Sequence, residues 1–194
     1  MAGTVTKSRA EIPTIDVSLV TIETTAGEFG FETANQIQVE PQMNEQDAVQ
    51  LIIKGKLKAQ KPAKSTLTSN QITLTDNVFN PELVKILQGG VIEYKEDKTT
   101  FKKYTAPLQG SDDAGESFKL NAYSAQYNAA GKIVNYEKIS YPNCTGVPVA
   151  FNSTDDEFRA PEYTINSAPN EGEAPYIIEM VDALPTLSAP GPVS

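Results

Sequence analysis

The sequence predicts a mainly β fold, a β-sandwich or barrel with one short flanking α-helix at about residues 80–88. Three observations carry this. Runs rich in β-branched and aromatic residues recur along the chain, roughly nine or ten of them. Turn-forming clusters separate those runs. One stretch alone has both helical start and stop signals. At 194 residues the chain suits one well-packed domain and is too short for two large ones.

The elements follow in order. Residues 1–13 are polar, end in Ile12-Pro13 and read as a flexible arm. Residues 14–24, TIDVSLVTIET, read as a strand with Ile15, Val17 and Leu19 on one face and Val20 and Ile22 on the other. Apolar residues of both parities fit burial on two sides or at an interface. Residues 35–40 read as a strand stopped by Pro41, and residues 42–47 as a loop. Residues 48–60 read as a single strand, with Leu51, Ile53, Leu57 and Ala59 of one parity and Lys54, Lys56 and Lys58 of the other. Lys61-Pro62-Ala63-Lys64-Ser65 reads as a loop or hairpin tip, and residues 70–75 resume the β pattern.

The helix is the best-marked element. Asn80 is a good N-cap, Pro81 suits the first helical position and Glu82 suits the positive end of the helix dipole. Leu83, Val84, Ile86 and Leu87 form an apolar stripe, and Gly89-Gly90 is a stop signal. A helix this short needs packing against a sheet. Beyond it, residues 91–94 and 99–104 bracket a hairpin turn, and residues 109–115 read as a loop. Residues 118–127 and 132–141 pair as a long hairpin through Asn128-Ala129-Ala130-Gly131. Two further extended segments lie around residues 163–165 and 176–181. Residues 184–194 are rich in proline and serine and read as a mobile tail, which leaves 14–183 as the β domain.

Composition excludes much chemistry. The chain has no histidine, so no Ser-His-Asp or Cys-His nucleophile system can be built within it. One cysteine, Cys144, makes no internal disulfide and is a poor basis for a zinc site. It reads as a small buried residue. Glycine-rich phosphate loops are absent, as are apolar runs long enough to span a membrane. Without an apolar leader segment in MAGTVTKSRAEIPT, and with a single cysteine, the expectation is synthesis in a reducing cytoplasm. No enzyme activity and no cofactor are expected.

Charge is unevenly spread. The net charge is −9. Residues 1–103 hold 12 basic and 13 acidic residues, while residues 104–194 hold 4 and 12. An acidic surface repels the phosphate backbone, which disfavours DNA binding but suits a duct through which DNA slides. Asp112, Asp113 and Glu116, and Asp155, Asp156 and Glu157, are the carboxylate clusters. Neither has the layout of a calcium loop, and they read as solvated loop charges or as an acidic lining. A two-carboxylate glycan hydrolase is the catalytic alternative, with nothing in the sequence to pair the acids. The row Lys54, Lys56, Lys58, continuing to Lys61 and Lys64, has two readings. Lysines on a strand edge block unwanted pairing, or they form a basic patch that meets the acidic half of a neighbouring copy.

Three stretches carry a family likeness: residues 72–90 (ITLTDNVFNPELVKILQGG), 131–149 (GKIVNYEKISYPNCTGVPV) and 157–185 (EFRAPEYTINSAPNEGEAPYIIEMVDALP). In layout and phrase they resemble phage major tail proteins, the tail tube subunits of siphophage type, with related folds in tailocins and the type VI secretion tube. The resemblance implies a β-sandwich or barrel with a flanking helix, and subunits that close into hexameric rings. It implies that rings stack, through loops, arms and tails, into a tube that conducts DNA. Implied partners are further copies of the chain, other tail proteins (tape measure, tail terminator and baseplate), and DNA in transient passage. No membrane and no catalytic residues are implied, and the site of action would be the virion tail. The alternatives are the tube of a tailocin or contractile injection system, and a non-catalytic immunoglobulin-like binding module, which the same strand count would build.

Overall fold

The computed structural model describes residues 13–111, 115–151, 155–156 and 160–188. Among these residues it is mainly β, with one short helix and three antiparallel sheets. The first hairpin joins β1 (Thr14–Thr24) to β2 (Gly27–Phe31). Thr24 closes its turn, accepting from the Ala26 amide and donating to the Gly27 carbonyl. Residues 19–22 of β1 are all buried, so the apolar residues of both parities have cover on both faces.

β3 (Ala34–Gln46) and β6 (Lys64–Asp76) form the longest ladder. The expected stop at Pro41 does not occur. β3 lies at the edge of the main sheet, where a missing N–H breaks no outer ladder, and Pro41 pairs beside Asn70. One residue on, Thr68 is bulged out of β6 and donates to the Gln42 carbonyl. Residues 42–46, expected as loop, are therefore strand.

The expected single strand over residues 48–60 is two. β4 (Val49–Ile53) turns at Lys54-Gly55 into β5 (Lys56–Lys61). Both turn residues have positive φ, +48° and +73°, the type I′ geometry that matches strand twist. The second residue is glycine, which adopts it without cost.

α1 (Pro81–Gln88) forms as its local signals require. The Asn80 side chain accepts from the amides of Glu82 and Leu83 at 3.0 and 3.2 Å. The Gly89 amide closes the last turn on the Lys85 carbonyl. Leu83, Val84 and Leu87 are buried in the core.

β7 (Val91–Tyr94) and β8 (Phe101–Thr105) form a small hairpin against α1, with Gly90 so close to β8 that a Cβ there would lie 2.4 Å from the Thr105 carbonyl. β9 (Phe118–Tyr127) and β10 (Ile133–Gly146) form the expected long hairpin. The Asn128 side chain holds its turn, accepting from the amides of Ala130 and Lys132. β10 runs on past Tyr141 through a bulge at Pro142-Asn143, where Asn143 takes a positive φ. Gly146 then lies under α1, leaving no space for a Cβ beside Leu87. β11 (Glu162–Ser167) and β12 (Ile177–Val181) complete the chain.

The main sheet runs β2-β1-β9-β10-β11-β6-β3, with β12 beside β10. It curls until β1 approaches β3. The interior holds Val20, Ile22, Ile72, Leu74, Leu120, Tyr163 and Ile165 around the buried face of α1. A polar ladder crosses three neighbouring strands where a buried sheet face needs satisfied groups. Asn121 donates to Thr21 and accepts from Ser140, and all three are buried.

Candidate assembly surface

Between β3 and β6 the chain leaves the body as an arm. Every residue from 40 to 66 is exposed, including all of β4 and β5. The β3–β6 ladder ends at Gln46 and Lys64, β4 and β5 follow as a separate two-stranded sheet, and among the described residues no other strand pairs with either. Leu51 is 54% exposed, Ile52 58% and Leu57 55%. Solvated hairpins ordinarily show water one polar face, whereas this one shows it apolar residues on both.

Lys54, Lys56, Lys58, Lys61 and Lys64 all lie on this arm, so the structure brings the five sequence-picked cations together. It does not place them on one face. Lys54 occupies the turn, and Lys58 is the extra residue of a bulge, since Leu51 pairs with Ala59 while Ile52 pairs with Leu57. That bulge breaks the parity on which the expected separation of lysines from apolar residues rests.

The described candidate acids, Glu116, Asp155 and Asp156, lie in two separate loops. Glu116 is exposed beside the helix, its amide donating to the Ile86 carbonyl. Asp155 and Asp156 are exposed in a turn, with Asp156 at φ +62°. Asp112, Asp113 and Glu157 lie outside the described residues. Among the described residues, no three His, Cys, Asp or Glu side chains converge where they could hold a metal ion.

A second exposed surface went unnoticed in the sequence. β12 pairs along one side with residues 136–140 of β10, and among the described residues no strand pairs with its other side. Ile177, Ile178 and Met180 are exposed, and so is Tyr176 beside them. Lys138 ties the strand down, donating to Glu179 directly opposite at 2.7 Å. This bond holds the Glu179 carboxyl below its ordinary value and the Lys138 ammonium above its own. Glu171, Glu173 and Asp182 are exposed nearby in the chain. Composition marks IIEMV as an apolar strand and is silent on its place at a margin.

Two further features are a groove and a buried thiol. An open groove of about 720 Å³ runs between α1, the β1–β2 turn and β7, lined by residues including Thr24, Phe29, Glu82, Ile86, Tyr94 and Glu116. Its carboxylate Glu82 is occupied by the Tyr94 hydroxyl, which donates to it at 3.0 Å. Burial pushes the Cys144 thiol up to about 11, so at neutral pH it is neither thiolate nor accessible.

What fold and surface define is a β body with a two-faced projecting arm and an unpaired apolar margin. No protein-family model matches the chain, and no curated protein matches it. Among solved structures it is similar to the anti-feeding prophage tube-terminating cap, at 13% identity and TM-score 0.39, over 93% of this chain and 100% of that one. It is similar to a chain of the PVC extracellular contractile injection system sheath–tube complex in its extended state, at 16% identity and TM-score 0.37, over 89% and 94%. A chain of the anti-feeding prophage baseplate overlaps at 9% identity and TM-score 0.36, over 91% and 97%. Overlaps this loose fix no family, and the functional reading rests on the chain's own surfaces.

Proposed function

We propose that this chain is a structural, self-assembling subunit of a phage-type tail tube, closing into hexameric rings that stack into a duct for DNA. The observation that carries the reading is the arm, apolar on both faces and wholly exposed in a single copy. Burying a Leu or Ile side chain is worth about 1.5–3 kcal/mol, so a chain that leaves Val49, Leu51, Ile52, Ile53 and Leu57 in water is built to bury them elsewhere. The resemblance of residues 72–90, 131–149 and 157–185 to major tail proteins supports the same reading. Head-to-tail contacts that close give rings, and a surface net charge of −9 keeps DNA from adhering to a wall. In this reading Asp112, Asp113, Glu116, Asp155, Asp156 and Glu157 contribute acids to the lumen or loops. The other tail proteins meet the tube at its ends or within it.

Negative-stain imaging of the concentrated protein tests this. Rings or tubes with sixfold end views are expected. A strict monomer at every salt concentration, also with tail initiator proteins present, would falsify the reading.

A further inference from the structure

We propose that the outer edge of β4 in one copy pairs with the outer edge of β12 in a second copy. The contact rests on the self-assembly reading above and names its chemistry. A sheet edge offers a row of free N–H and C=O groups, and most edges here are blunted. β3 carries Pro41 and sits beside a bulge. β5 carries three lysines and the bulge at Lys58. β8 carries Lys102 and Lys103, β7 lies against α1, and β2 has two glycines and Glu28 in five residues. The free half of β6, residues 64–69, is polar apart from Leu67.

β4 and β12 keep fewer of these defences. β4, VQLII, has no charge, proline or extra residue. β12, IIEMV, has a single charge, already turned toward Lys138 of the neighbouring strand. Each is five residues long and each exposes apolar side chains on both faces. Strand addition between such edges supplies main-chain hydrogen bonds and buries both apolar sets.

Charge selects the pairing. Residues 45–64 of the arm hold five lysines against Glu45 and Asp47, a net of +3, which leaves −12 for the rest of a chain of −9. Joining β4 to β4 brings two basic arms together, and joining β12 to β12 brings together Glu171, Glu173, Glu179 and Asp182 of both copies. Only the mixed contact sets a basic arm beside acids. It is heterologous, so each copy gives one edge and receives another.

Cross-linking tests the register. Full overlap of two five-residue strands sets Leu51 opposite Glu179 whichever way the strands run. Opposed Cα atoms then lie about 4.5–5.5 Å apart, within disulfide reach. One chain carries Leu51→Cys and a second, of different mass, carries Glu179→Cys. The buried Cys144 does not compete. Mixed under a mild oxidant, the two should give a covalent heterodimer that neither forms alone. A third chain, Ile52→Lys, changes a residue 58% exposed in the single copy and should still unfold cooperatively while losing assembly. Wild-type tubes without the heterodimer, or tubes of undiminished length from Ile52→Lys, overturn this contact and leave the tube reading standing. A wild-type chain that never associates overturns the tube reading itself.

Discussion

At the scale of single residues, a few positions hold the body in shape. Asn80 satisfies two amides at the start of α1, and its own amide donates to the hydroxyl of the buried Tyr163, so it links helix to sheet. Asn80→Ala should cost about 1 kcal/mol, more than a surface change elsewhere, measured as a lower urea midpoint with unchanged slope. An unshifted midpoint would show that the cap is idle. Residues such as Asn80, Pro81 and Gly89 were readable in the sequence because each does its work within a few bonds of itself. Pro41 and Pro142 were not. Each is allowed by a partner far off in the chain, one by an edge position and one by a bulge, and neither circumstance is written locally.

At the scale of elements, β12 is a margin strand of the main sheet. It pairs on one side only, and Lys138–Glu179 is the ion pair that crosses to it. The pH dependence follows from the two shifts. The Glu179 carboxyl sits below its ordinary 4.5, so its contribution is full above 4.5 and is lost as pH falls through the lowered value. The Lys138 ammonium sits above its ordinary 10.5, so its contribution is full below 10.5 and is lost as pH rises through the raised value. Amide exchange over Ile177–Val181 should be faster in Glu179→Gln than in the unaltered chain at pH 7. The difference should close as pH falls below 4.5. A difference that persists into acid would mean that the strand is held by something other than this pair. The arm shows where element-level reading failed. The lysines were found together because they are close in sequence. Their division between faces was lost, because a type I′ turn at Lys54-Gly55 and a bulge at Lys58 reset a parity that alternation alone cannot follow. The exposure of β4 and β12 was equally hidden, since an apolar strand reads the same whether its own body or another copy covers it.

For the whole molecule, the mainly β architecture with one capped helix was legible, and its assembly is the claim on which function depends. The body closes its own core around α1 and satisfies its buried polar ladder, while the arm adds nothing to that core. Stability and association are therefore separable. Removing residues 47–63 deletes the exposed hairpin and leaves the β3–β6 ladder to be closed by a short turn. Sedimentation velocity of the intact and shortened chains, side by side over a range of concentration, measures the claim directly. The intact chain should run as rings and larger species, and the shortened chain as a folded monomer that still unfolds in one cooperative transition. Equal association by both chains, or none by either, would contradict the account.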